Sequence, residues 1–162
     1  MSGLRVETVR GAAMGERLAD VARLRIAVFG DWPYLYDGDA GYEARYLATY
    51  TRSPDSLFVL ALDGERIVGA STGLPLAHEE PAFRAPFEAQ GVDAARVFYC
   101  GESVLLPEYR GRGLGHAFFD AREAHARALG GFTHTAFAAV DRDTADPRRP
   151  AGHRDNDAFW QR

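Results

Sequence analysis

Residues 102–116 read Glu-Ser-Val-Leu-Leu-Pro-Glu-Tyr-Arg-Gly-Arg-Gly-Leu-Gly-His, and this stretch decides the fold. Its apolar residues 104–106 are typical of the end of a buried strand. Pro107 stops that strand, because proline has no N–H to donate to a neighbouring strand. A glycine loop follows, and then an alanine-rich pattern with helical spacing. A strand, a glycine loop and a helix start together favour phosphate binding, since the first turn of a helix has unpaired N–H groups and the positive end of the helix dipole.

The loop contains the residue types that a phosphate site needs. Glycines at 111, 113 and 115 would let a pyrophosphate approach the helix N–H groups without a Cβ in the way. Arg110 and Arg112 would add positive charge. A tight turn with solvated arginines is the alternative when the loop is taken alone. Two other nucleotide motifs fail, because His116 stands at the last glycine of a dinucleotide fingerprint and the chain has no lysine for a P-loop.

The loop also resembles the acetyl-CoA-binding motif of the GNAT superfamily, the Gcn5-related N-acetyltransferases. That motif is Arg or Gln, two residues, Gly, one residue, and Gly or Ala. The chain matches it from Arg110 to Gly115, directly after the strand and a Pro-Glu-Tyr run. The resemblance implies that acetyl-CoA is the co-substrate. It assigns the cofactor-binding residues of the loop as Arg110, Gly111, Arg112, Gly113, Leu114, Gly115 and His116.

Length and composition bound the function further. A chain of 162 residues suits one domain spanning 1–162, and its 46% apolar residues are ordinary for a soluble globular protein. The net charge of −4 gives no electrostatic support for a nucleic-acid partner. Cys100 is the one cysteine, so an internal disulfide is excluded and a cytoplasmic location is expected. No apolar run approaches the ~20 residues of a membrane span, and the histidines lack metal-ligand spacing, so we expect neither a membrane segment nor a metal.

Hydrophobic periodicity predicts the order strand, helix, helix, strand, strand, strand, helix, strand, helix, which is an α/β or α+β fold. Asp63-Gly64 between two apolar runs predicts a hairpin, and a short helix is expected near 83–89. The main elements are predicted to lie near residues 4–9, 16–30, 42–53, 57–62, 66–74, 97–106, 114–128, 132–140 and 155–162.

This order matches the GNAT fold over nearly the whole chain, and it implies a mixed, mostly antiparallel central sheet flanked by helices. The family usually adds two strands after the last helix, whereas the sequence stops at 159–162, where that helix should begin. We therefore expect the domain to be C-terminally short. The strand at 132–140 should then be an exposed edge, or be covered by a second copy in a homodimer.

Acetyl transfer to an amine makes demands on the strand before the loop. The amine must lose a proton to a base, and the developing oxyanion needs a donor such as a backbone N–H. In the GNAT family, backbone groups of this strand hold the acetyl carbonyl and pantetheine, which implies Ser103, Val104 and Leu105 here. Glu102 is the sole carboxylate within the strand and is the candidate base. The alternative is that Glu102 faces water or pairs with an arginine.

Other candidates for the chemistry surround this strand. Tyr99 is a second candidate for proton handling, with a core aromatic as the alternative. Cys100 has the chemistry for an acyl-enzyme, but a lone buried cysteine is more often a small apolar filler. Many GNAT enzymes use a tyrosine of the last helix as the acid towards the CoA thiolate. Trp160 stands at that position, so the acid is unassigned.

The loop at 31–39 lies where GNAT enzymes place the wall of the acceptor site. Trp32, Tyr34 and Tyr36 stand there between aspartates at 31, 37 and 39, which suits a cationic amine through cation–π contacts and charge. Packing of the aromatics on the sheet is the alternative. The sequence thus predicts acetyl transfer from acetyl-CoA to a primary amine of a small molecule or peptide. A catalytically inactive CoA-binding sensor and a phosphate- or nucleotide-binding module are the other readings.

Overall fold

The structure is a computed structural model that describes residues 3–30 and 39–137. Its elements are β1 (Leu4–Arg10), α1 (Arg17–Phe29), α2 (Ala40–Arg52), β2 (Leu57–Asp63), β3 (Arg66–Pro75), α3 (Pro81–Glu88), β4 (Val97–Leu105), α4 (Leu114–Leu129) and β5 (His134–Ala136). The predicted order of elements is confirmed within these ranges, including the short third helix. Residues 31–38, 138–140 and the predicted last helix lie outside the described residues.

The five strands form one sheet in the order β1-β2-β3-β4-β5. The first four pair antiparallel, and β5 pairs parallel to β4. The expected mixed, mostly antiparallel sheet is therefore confirmed. The Asp63-Gly64 hairpin is confirmed as well, because Asp63 pairs with Arg66 across the turn and Gly64 has a positive φ of 61°.

Helices cover both faces of the sheet. One face packs on α1 and α2 through buried residues that include Val21, Leu24 and Tyr50. The other face packs on α4, where Leu114 and Phe118 are buried. The apolar faces of α1 and α2 thus pack on one side of β3 and β4, and the apolar face of α4 packs on the other side. Both strands are therefore covered by helices on both faces.

β3 and β4 carry a bulge in the middle of the sheet. Ser71 lies opposite Ser103, whereas Gly73 lies opposite Cys100. Two β4 residues, 101 and 102, therefore face the single residue 72 of β3. A bulge bends a strand and changes which edge and face its groups point to. The residues that follow it, 103–105, are those expected to hold the acetyl group.

Candidate active site

The glycine loop ends in a helix start that no described side chain caps. Gly113 is the N-cap of α4 with a φ of 81°, and Gly111 has a φ of 78°. Both values are in the left-handed region that favours glycine. The first turn of α4 has no acidic residue, whereas α2 is capped by Asp39, whose carboxylate accepts from backbone N–H groups. The start of α4 therefore retains the positive end of its dipole for an anion.

Both loop arginines contact the backbone of the same region. Arg110 Nε donates to the Leu105 carbonyl at 3.1 Å, which ties the loop to the end of β4. Arg112 Nη2 donates to the Glu108 carbonyl at 3.2 Å, and its guanidinium lies 5.3 Å from the centre of the Tyr109 ring. The two side chains thus shape the loop. Their predicted role in cofactor binding stays a prediction.

The strand before the loop has one uncovered edge. β5 pairs with β4 only from Val97 to Tyr99, so within the described residues no strand covers that edge of β4 at 100–105. The Leu106 N–H donates towards β3, to the Val68 carbonyl at 3.0 Å. Because alternate residues direct their backbone groups to opposite edges, those of Ser103 and Leu105 point away from β3. They point to the edge of β4 on which β5 pairs with Val97 to Tyr99.

Tyr99 forms the last pair between β4 and β5 among the described residues, with Ala136. Its ring packs edge-on to Phe87 and tilted against Phe83 of α3. Burial, with the negative charge of Glu79 nearby, raises the pKa of Tyr99 to about 12. The phenol therefore stays protonated near neutral pH, and it can donate a hydrogen bond but not act as a base.

Glu102 is buried on the α1–α2 face in a network of polar side chains. Tyr46 and Thr72 hydroxyls donate to its Oε2 at 2.7 and 2.8 Å. Arg25 Nη1 lies 2.9 Å from its Oε1, and the Arg25 Nε donates to Glu43. Pairing with an arginine, the alternative that the sequence left open, is thus present. The assignment of Glu102 as the base stays a prediction.

Sequence reasoning missed the buried carboxylate of Glu79. Tyr50 Oη donates to its Oε2 at 3.0 Å, and the Glu80 N–H donates to its Oε1 at 2.9 Å. Burial raises the pKa of Glu79. The hydroxyl oxygens of Tyr50 and Tyr46 are 3.3 Å apart and Tyr46 donates to Glu102, so a chain of polar contacts runs from Glu79 past both tyrosines to Glu102. No local sequence signal identifies Glu79, because its burial depends on packing between distant parts of the chain.

Sequence reasoning also missed Arg122 on α4, which is 1% exposed. Its guanidinium donates to the carbonyls of Thr72 and Glu102 and to the Ser103 hydroxyl. Burial lowers its pKa. A signal was present, because Arg122 lies four residues after Phe118 in the buried row of α4, where an apolar residue would be expected.

The remaining candidates have simpler surroundings. Cys100 is buried and unpaired, and burial raises the pKa of its thiol. His116 is half-buried in the first turn of α4, and Leu114 packs in the core below it. Trp32, Tyr34 and Tyr36 lie outside the described residues.

Among residues 3–30 and 39–137, no helix is both long and apolar enough to span a membrane, and no group of three or more metal-ligating side chains is placed to hold an ion.

The sequence matches a known protein family. The acetyltransferase (GNAT) family matches the sequence over residues 22–149. The chain belongs to the GNAT acetyltransferase family. As a member, it is an acetyl-CoA-dependent acyltransferase. No curated protein sequence matches it.

Several solved structures share the GNAT fold of this chain. Aminoglycoside N-acetyltransferase AAC(6')-Iy in complex with CoA has a TM-score of 0.60 and 14% identity, over 86% of this chain and 79% of that chain. Aminoglycoside acetyltransferase meta-AAC0020 from an uncultured soil metagenomic sample, in complex with sisomicin, has a TM-score of 0.54 and 16% identity, over 94% and 91%. Ribosomal-protein-alanine N-acetyltransferase from Brucella melitensis biovar Abortus 2308 has a TM-score of 0.53 and 14% identity, over 89% of this chain and 82% of that chain. At these identities the likeness shows the fold.

Proposed function

We propose that this GNAT acetyltransferase moves the acetyl group of acetyl-CoA to a primary amine of a small molecule or peptide, by direct attack in a ternary complex. The observation that carries the proposal is the edge of β4 at 100–105, which no strand among the described residues covers. Backbone groups of Ser103 and Leu105 point to that edge, and the glycine loop and the start of α4 come next in the chain. A pantetheine can pair with such a strand edge while its pyrophosphate binds the helix N–H groups.

The charge of the buried network favours a cationic acceptor. On the face covered by α1 and α2, three carboxylates are buried, those of Glu43, Glu79 and Glu102. Within the described residues only one guanidinium, that of Arg25, is buried with them. This excess of negative charge would attract an ammonium group as it approaches.

A row of tyrosines on α2 supports the same conclusion. Tyr42 is 41% exposed and stacks on Tyr46, which in turn contacts the buried Tyr50. Aromatic faces attract organic cations. The row leads from the surface to the carboxylates, so we propose that the acceptor approaches along it, next to the predicted wall of Trp32, Tyr34 and Tyr36. Aminoglycosides, which carry several ammonium groups, are the first acceptors to test.

The proton of the ammonium needs a base, and the structure favours Glu79 over Glu102. A base should have a pKa raised towards the working pH. Burial raises the pKa of Glu79, whose carboxylate accepts from neutral groups, the Tyr50 hydroxyl and the Glu80 amide. Glu102 is already paired with Arg25. In this proposal Tyr99 serves as a hydrogen-bond donor next to residues 100–105 of β4.

Release of free CoA thiol in the presence of single amines tests this function. The panel holds aminoglycosides, polyamines, amino acids and peptides with free N-termini, each with acetyl-CoA. We expect amine-dependent thiol release, with the acetylated amine identified by its mass. Tight CoA binding with no release across the panel would instead select the inactive CoA-binding sensor.

A further inference from the structure

Arg122 is the largest fully buried side chain among the described residues, and it lies outside the predicted acetyl-CoA loop. It lies two turns along α4 from the start of that helix. Its stem packs beside β3, where a Cβ on Gly73 would lie 3.4 Å from its Cδ. A buried guanidinium is costly unless its N–H groups are satisfied. The hydrogen-bond acceptors of Arg122 therefore show which part of the structure it stabilises.

The guanidinium closes the bulge between β3 and β4. Nη1 donates to the Thr72 carbonyl at 3.1 Å and to the Glu102 carbonyl at 3.2 Å, one on each strand. Nη2 donates to the Ser103 hydroxyl at 2.8 Å. Arg122 thus replaces ladder hydrogen bonds at the point where the bulge interrupts the ladder.

The Glu102 carbonyl and the Ser103 N–H belong to one peptide group. A trans peptide directs its C=O and N–H to opposite sides. Because Arg122 binds the carbonyl next to β3, the N–H points away from β3, to the edge of β4 that no described strand covers at 100–105. The alternation counted from Leu106 gives the same direction. Donation by a cation to the carbonyl also polarises the amide, which makes its N–H a stronger donor.

We propose that Arg122 is a positioning residue that aims and strengthens the Ser103 N–H as the donor to the acetyl carbonyl oxygen. The proposal rests on the proposed function, in which residues 103–105 hold the acetyl group. Arg122 does not touch the substrate. It acts through one peptide group, from the opposite face of the sheet to Glu102 and the tyrosine chain.

Infrared difference spectra of bound acetyl-CoA, with and without a ¹³C label at the thioester carbonyl, test this directly. A hydrogen bond from a polarised N–H lowers the carbonyl stretching frequency. We expect a red shift in the parent protein that is reduced in Arg122→Lys and lost in Arg122→Met. Arg127→Met is the matched control on the same helix, because Arg127 is exposed and only weakly paired with Glu123. Its spectrum should equal that of the parent.

Two further readouts separate positioning from a general loss of structure. CoA affinity, measured by calorimetry, should stay within about twofold in the Arg122 variants, as for independent sites. Acetyl-transfer turnover should fall by ~10²-fold, the effect of a misplaced donor. A variant that loses CoA affinity and turnover together would show a merely structural role and overturn the proposal. An unchanged red shift in folded Arg122→Met would overturn it as well.

Ser103→Pro provides a test that leaves Arg122 unchanged in the sequence. Ser103→Ala is its control and should keep the red shift, because it loses the hydroxyl that accepts from Arg122 but keeps the N–H. In Ser103→Pro the N–H is removed as well, on the edge of β4 away from β3, where the ladder to β3 does not need it. We expect the red shift to disappear in this variant too, and its persistence would overturn the proposal. A parent protein that neither shifts the carbonyl nor transfers acetyl groups would overturn the proposed function along with it. If the parent protein shifts the carbonyl and transfers acetyl groups, and the Arg122 variants do so equally well, only the positioning role of Arg122 would be overturned.

Discussion

A Cβ on Gly101 would lie 2.3 Å from the hydroxyl oxygen of Tyr50, so this hydroxyl occupies the space that any other residue at 101 would need. Thr72 Oγ1 would lie 2.4 Å from the same Cβ. The Tyr50 hydroxyl also donates to Glu79 and lies 3.3 Å from that of Tyr46. The missing side chain at the bulge thus lets the chain of tyrosines and carboxylates pass directly against β4.

Gly101→Ala should therefore destabilise the protein by about 1–3 kcal/mol, the usual cost of overpacking, and it should lower acetyl-transfer turnover. Urea unfolding and steady-state rates measure the two effects. Tyr50→Phe removes one of the two obstructing oxygens, so the double variant should lose less stability than the sum of the single variants. Strict additivity would show that Tyr50 does not limit the space at 101.

Gly115→Ala should weaken acetyl-CoA binding without destabilising α4. Gly115 is the second residue of that helix, and alanine is favoured over glycine there by roughly 0.5–1 kcal/mol. Its methyl group would stand where the pyrophosphate must approach. Gly41→Ala, at the second position of α2, is the matched control and should leave binding unchanged. Calorimetric titration with acetyl-CoA decides, and equal affinities in the two variants would place the phosphate elsewhere.

The sequence predicts the loop and the sheet because their signals are local. Proline, glycine and hydrophobic spacing mark β4, the glycine loop and α4 within a few residues of one another. The polar networks have no such mark. Arg25 meets Glu102 only after α1 packs on the sheet, and Arg122 lies in a row that composition alone would assign to the apolar core. Long-range packing decides which charges are buried, so it also decides which carboxylate is free to act as a base.

Cys100→Ala should retain most of the acetyl-transfer activity. The thiol is buried, and burial raises its pKa, so little thiolate is present to form an acyl-enzyme. Direct attack by the amine does not need it. Mass spectrometry of the parent protein, incubated with acetyl-CoA and no amine, should show no added acetyl group at Cys100. A stable acetylated protein, or loss of turnover in Cys100→Ala, would favour a two-step mechanism.

Glu102→Gln tests the candidate base that the sequence predicts. A general base would cost ~10²–10⁴ in turnover, and the loss would shrink at high pH, where free amine is already present. The substitution also leaves Arg25 with one carboxylate fewer, which can destabilise a buried pair by up to about 3–5 kcal/mol. CoA affinity should hardly change, and it is the control for folding. A loss that is equal at every pH would assign Glu102 to positioning.

If Glu79 is the base, Glu79→Gln should lower acetyl-transfer turnover, and this loss of turnover should become smaller at high pH. Its pH-dependent stability gives an independent check. Because burial raises the pKa of Glu79 above its unfolded value of 4.5, the folded state binds the extra proton between the two pKa values. Stability conferred by the protonated form is therefore full below the unfolded pKa and is lost as the pH rises through the folded pKa. Melting temperatures of the parent should fall over this window more steeply than those of Glu79→Gln, and parallel slopes would mean that Glu79 titrates as it does in water.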